Sequence, residues 1–141
     1  MNWIAMRITD SKEIDKIKGI IDQYNDCFYR RDLERLKNLY VPDGDIIYFD
    51  NHEGCDSTNL TDHLTEVGKF FETGKIEELI SEDMVVYQHG DCACLLIKLR
   101  YPSKPRPCVR TTYYLENHDH QWKIRHIHCS FDPNELQNGT Y

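Results

Sequence analysis

No apolar run in this sequence approaches the ~20 residues that a membrane-spanning helix requires. The segment from Met1 to Asp10 holds only short apolar pieces broken by Asn2 and Arg7, too little for the apolar stretch of a secretory leader. Basic charge is scarce as well: 17 lysines and arginines stand against 24 aspartates and glutamates, a formal balance of -7. Such a chain lacks the basic stripe that grips nucleic acid, and an anionic membrane surface would repel it. The six cysteines lack the spacing of a redox or zinc knuckle, because Cys92 and Cys94 are separated by a single residue. These absences predict a cytoplasmic protein with free thiols and with no nucleic-acid or membrane partner. Asn59-Leu60-Thr61 and Asn138-Gly139-Thr140 have the form of glycosylation acceptors, which such a protein would not use.

What is present is an ordinary globular composition, 40% hydrophobic and 29% charged over 141 residues, enough for one domain over 1–141 with its core at about 12–133. Ile14, Ile17, Ile21, Tyr24 and Phe28 recur at steps of three and four, which predicts a helix over Lys12 to Arg31, capped by Asp10 with Glu13. A shorter helix is expected from Asp32 to about Tyr40, stopped by Pro42. Asp45 to Asp50 has the composition of a strand. Leu60, Leu64, Val67 and Phe71 predict a helix to Thr73, ended by Gly74. Beyond it the residues turn β-branched and aromatic. Strands are expected over Ile76 to Gln88, Cys92 to Tyr101, Cys108 to Glu116 and Gln121 to Phe131, with a proline loop from Pro102 to Pro107 and a loose tail over the last eight residues. Helices followed by an antiparallel meander predict an α+β fold with the helices on one sheet face.

Three segments carry a family resemblance. They are Leu39-Tyr40-Val41-Pro42-Asp43 leading into Ile46-Ile47-Tyr48-Phe49-Asp50; Arg110 with Thr112 ahead of a tryptophan; and Trp122-Lys123-Ile124-Arg125-His126-Ile127-His128-Cys129-Ser130. Across about Lys12 to Pro133 the chain resembles the SnoaL-like branch of the NTF2-like superfamily, whose relatives include ketosteroid isomerases, polyketide cyclases and the kinase-association hub domain. The resemblance implies a cone in which N-terminal helices pack on a curved antiparallel sheet, a homodimer through the outer sheet face, and a pocket between helices and sheet. It implies no single chemistry, because this fold hosts enzymes and assembly modules alike.

Strict alternation along the last strand would place Trp122, Ile124, His126, His128 and Ser130 on one face. Histidines there need partners or a hole to line. Arg110, Thr112 and Tyr114 share a face of the preceding strand, and Tyr48 and Asp50 share one of the first. The expectation is a pocket for a small, anionic organic molecule. Asp50, His126 and His128 are its catalytic candidates for general acid or base work; Tyr24, Tyr48, Arg110, Thr112, Tyr114, Trp122 and Ser130 are its ligand-binding candidates. The alternative is that Arg110, His126, His128 and Asp50 form a satisfied structural network. Steroid isomerisation by the ketosteroid mechanism is disfavoured, since the strand from Cys108 to Glu116 carries no aspartate. No metal and no cofactor are expected: His118 and His120, the other His-x-His pair, fall in a turn.

Overall fold

The computed structural model describes residues 11–73, 77–102 and 108–135. The expected cap at Asp10, helix stop at Gly74, strand start at Ile76, most of the proline loop and most of the tail lie outside the described residues.

Helix α1 spans Ser11–Arg30 and buries Ile17, Ile21, Tyr24 and Cys27, the inward stripe of an amphipathic helix. It ends where Arg31 takes the left-handed conformation at φ 58°, a place glycine commonly fills. The Asp32 N–H closes that exit on the Cys27 carbonyl at 2.9 Å. Asp32 then caps α2 (Leu33–Lys37) by accepting from the Arg35 N–H at 3.1 Å. The second helix stops short of Tyr40 because its exit joins the sheet: Ile124 N–H bonds the Leu39 carbonyl at 2.8 Å, and Val41 N–H bonds the Ile124 carbonyl at 3.0 Å. Helix α3 spans Leu60–Thr73 and buries Leu60, His63 and Val67.

Strands β1 (Ile47–Phe49), β2 (Ile80–His89), β3 (Cys92–Arg100), β4 (Val109–His118) and β5 (Gln121–Phe131) form one sheet in the order β1-β5-β4-β3-β2. Strands β2 to β5 are an antiparallel meander. Strand β1 runs parallel to β5, so the sheet is mixed rather than wholly antiparallel. Leu95, Ile97, Tyr113, Leu115, Ile124 and Ile127 meet the helical stripes in one buried core.

The ladder between β4 and β5 slips once. Leu115 pairs with Ile124, but Tyr114 pairs with His126, which leaves Arg125 opposite nothing. This extra residue is a β-bulge, and it reverses the side-chain parity beyond it. Trp122 and Ile124 are buried before the bulge; Ile127 and Cys129 are buried after it. His126, His128 and Ser130 are turned to the outer face, which corrects the expectation that they stand inward beside Trp122 and Ile124.

Candidate functional site

A cavity of about 450 Å³ opens between α1, α3 and the inner sheet face. Its size lies within the ~300–1,000 Å³ of small-molecule sites. Helix α1 supplies Tyr24 and Phe28; α3 supplies His63, Val67 and Phe70; the sheet supplies Tyr48, Tyr113, Cys129 and Phe131; Asp50 and His52 stand just past β1. Seven phenylalanine and tyrosine rings stand on the described wall, and several of its polar groups are tied by specific contacts. Tyr40 O–H and His63 Nε2 lie 3.0 Å apart. The His63 ring stacks on Tyr48 with centroids 4.3 Å apart. The Tyr48 hydroxyl donates to Asp50 Oδ1 at 2.9 Å. Asp50 Oδ2 accepts from the His52 N–H at 3.0 Å and lies 3.1 Å from His52 Nδ1. Asp50 is thus a carboxylate held from two sides, with its side chain 14% exposed.

Burial sets the titration of this wall. Desolvation raises Tyr24, Tyr48 and Tyr113 well above the ordinary tyrosine value, and it raises Tyr40 despite a hydrogen bond from Tyr24. All four phenols stay protonated, so each carries a hydroxyl proton able to be donated. Desolvation lowers His63 from 6.5 to about 4, with the Asp50 charge opposing it, so its imidazole is neutral near pH 7. Burial pushes the Cys129 thiol up to about 11, which keeps it from being a thiolate nucleophile. Among the described residues of this wall, one buried polar atom has no partner: the Tyr113 hydroxyl, on a residue that is 0% exposed, makes no hydrogen bond.

Of the residues singled out from sequence, Tyr24, Tyr48 and Asp50 line this cavity. The others do not. Trp122 is buried, and its indole N–H donates to Glu13 Oε2 at 2.6 Å. Arg110 is exposed and pairs in register with Ser130, as Thr112 does with His128 and Tyr114 with His126. These six lie on the outer face, so Arg110 does not meet Asp50. His126 Nδ1 lies 2.7 Å from the Ile47 carbonyl, and both histidine rings stand edge-on to Phe49, at centroid distances of 5.4 and 5.3 Å. The Tyr114 hydroxyl donates to Cys92 Sγ at 3.2 Å. His63, Tyr113 and Cys129 were not foreseen as site residues. The spacing Leu60-x-x-His63-x-x-x-Val67 carried the signal for His63, since it sets that side chain on the buried stripe of α3.

The side chains of Cys108, Asp132 and Glu135 converge within 4.8 Å of one another. Their charge is already answered. Arg100 grips both Glu135 oxygens at 2.7 and 2.9 Å, and Lys98 stands 3.6 Å from Asp132. The Glu135 carboxyl is held down at about 2, first by Arg100, while burial and Glu135 push the Cys108 thiol up to about 11. The cluster is an ion-pair network that ties the segment after β5 to β3.

Helices closing one face of a five-stranded mixed sheet, with a cavity between, define an α+β cone of the NTF2-like, cystatin-like class. Solved structures share it. An NTF2-like protein of unknown function from Pseudomonas putida KT2440 is 18% identical, with TM-score 0.74 over 95% of this chain and 97% of its own. A protein with a cystatin-like fold from Caulobacter vibrioides is 17% identical, with TM-score 0.75 over 91% and 96%. A proposed dehydratase of the NTF2-like family from Streptomyces avermitilis is 14% identical, with TM-score 0.76 over 88% and 99%. Residues 17–133 match the SnoaL-like domain, and the chain belongs to that family. No curated protein sequence matches it. Among the described residues no helix is long and apolar enough to cross a membrane.

Proposed function

We propose that the inner cavity binds a small, largely apolar organic molecule that carries one hydrogen-bonding oxygen, and that Asp50 acts beside it as a general base. The unpartnered Tyr113 hydroxyl is the observation that supports this most directly. A buried hydroxyl without a partner costs about 1–3 kcal/mol, and a ligand oxygen placed against it would remove that cost. The aromatic wall suits an apolar or aromatic body. With Arg110 on the outer face, Lys69 is the lysine or arginine on the cavity wall among the described residues, and it is paired with Glu66 at 3.2 Å. The ligand oxygen is therefore neutral when bound. Protonated phenols can stabilise it as it gains charge, while the fixed Asp50 takes a proton from the adjacent carbon. Such a proton transfer is the first half of an isomerisation or an elimination, and the proposed dehydratase among the similar structures agrees with the latter.

The test uses a fused-ring ketone, 2-tetralone, in deuterated water. The expected results are saturable binding, at least tenfold weaker binding in Tyr113→Phe, and enzyme-dependent deuterium uptake next to the carbonyl that Asp50→Asn abolishes while leaving binding intact. Binding without any exchange would leave a carrier or sensor pocket and defeat the catalytic half.

The outer sheet face supports a second reading: an assembly module that pairs with another copy of itself, as the family resemblance implies. Val85, Leu96, Thr112, His128 and Phe49 form one row across all five strands. Val85, Leu96 and Phe49 are exposed large apolar side chains, as is Tyr87 at 67%. The six cysteines are all unpaired, which agrees with a reducing, cytoplasmic setting.

A further inference from the structure

We propose that a second cleft, between α1, α2 and the β4–β5 turn, binds the phosphate group of a small phosphorylated molecule. The cleft holds about 490 Å³ and shares no residue with the inner cavity. Lys16, Arg35, His120 and Lys123 stand on its wall, and no carboxylate does. In a chain of formal charge -7 this gathers four basic side chains on one wall. Glu13 and Asp26 pair with Lys16 and Arg35 at 3.1 and 2.8 Å from outside the wall. Lys123 has no ion pair among the described residues; its ammonium donates to the Asn38 carbonyl at 2.5 Å, which holds it in place. The Glu13 carboxyl is held low first by the Trp122 indole, next by Lys16, and in smaller part by His120. A phosphate dianion matches several cations gathered on one wall better than a single carboxylate does.

Two positions on this wall break local rules. Gly19 lies in the middle of α1, where glycine weakens a helix relative to alanine. A Cβ placed there would meet nothing within 4 Å, so no described neighbour requires the glycine. His120 breaks the opposite rule. It takes φ 66° beside Asp119 at φ 50°, in a two-residue hairpin turn whose second position favours glycine. The chain thus keeps glycine where the helix disfavours it and histidine where the turn disfavours it, both facing one basic cleft. Locally unfavourable choices of this kind gather at functional sites. The bare Gly19 backbone widens the cleft, and the His120 ring adds a donor to its rim.

The experiment is an amide NMR titration of the full chain with inorganic phosphate and pyrophosphate, against sodium chloride of equal ionic strength. The resonances of Gly19, Gln121 and Lys123 are expected to shift saturably with a phosphate anion and not with chloride. Lys123→Gln should weaken binding at least tenfold. Gly19→Ala should raise the unfolding midpoint by about 2–4 °C through its helix propensity and yet bind at least threefold more weakly. A merely structural glycine would yield the first effect without the second. Equal shifts in chloride, or unchanged binding in Gly19→Ala and Lys123→Gln, would overturn the proposal.

Discussion

Arg125 reaches Glu116 at 2.8 Å from the bulged position of β5, the residue left without a partner between the Leu115–Ile124 and Tyr114–His126 pairs. The same guanidinium grips both oxygens of Asp43 at 2.8 and 3.0 Å and donates to the Asp45 carbonyl at 2.7 Å. One side chain therefore fixes the bulge, the end of β4 and the approach to β1. Its bonds are the leading cause that lowers both the Glu116 and Asp43 carboxyls. Arg125→Ala should cost about 2 kcal/mol, the scale of charge-assisted hydrogen bonds to a half-buried group. Arg125→Lys should recover only part of it, because an ammonium cannot fork between two carboxylates. Urea denaturation of the three proteins checks this; equal midpoints would show that the bulge stands without the arginine.

That bulge also explains where the sequence was legible and where it was not. Helices α1 and α3 and the β2–β5 meander follow from local spacing, although β2 begins at Ile80 and not near Ile76. The length of α2 does not, because its end is decided by the distant carbonyl and amide of Ile124. The parallel pairing of β1 with β5 is equally non-local. At the site, Tyr24, Tyr48 and Asp50 were within reach of spacing arguments. The histidines of β5 misled, because a period of two was carried through a position where the chain counts three. The signal was present: Ile124 and Ile127 are three apart, an odd step that two buried residues on one face of a strand can make only across a bulge. Tyr113, not Tyr114, shares its parity with the buried Thr111 and Leu115, which marks the inner face of β4.

His63 makes the fold sensitive to acid in a defined window. Its ordinary value is 6.5 and burial lowers it to about 4 in the folded protein. Below pH 6.5 the unfolded chain takes up a proton that the folded chain refuses. Stability is therefore complete above about pH 6.5, falls between there and pH 4, and levels off below. The loss due to this residue is about 3 kcal/mol. His63→Gln keeps an amide for the Tyr40 hydroxyl and cannot titrate, so its stability should be flatter across this window. Urea denaturation at pH 7.5, 5.5 and 4.5 decides; parallel curves for the two proteins would remove His63 as the cause.

Tyr113→Phe separates ligand binding from stability. The hydroxyl it deletes is buried and unpartnered, so its loss removes a desolvation cost without breaking a bond. The edge-on contact of the ring with Tyr24, at 5.5 Å between centroids, survives in phenylalanine. The variant should be as stable as the parent or up to about 1 kcal/mol more so, while binding a ketone less well. A clear loss of stability would mean that the hydroxyl serves the fold and is not held open for a ligand.

The outer face makes the last prediction, and it concerns self-association. Leu96 lies on β3, one strand in from the β2 edge, paired with Val85 on one side and Thr112 on the other, and its side chain is exposed at 36%. If two copies meet face to face, this leucine is covered by the partner, and a carboxylate put in its place would be buried. Charge uncompensated in such an interface costs several kcal/mol, so Leu96→Glu should raise the dimer dissociation constant by about 30-fold or more. Because Leu96 is exposed in the single chain, the fold itself should be untouched: the circular dichroism spectrum should stay as it was while sedimentation shifts from dimer to monomer. A parent protein that sediments as a monomer at high micromolar concentration, or a Leu96→Glu dimer as tight as the parent, would show that this apolar row is not where two copies join.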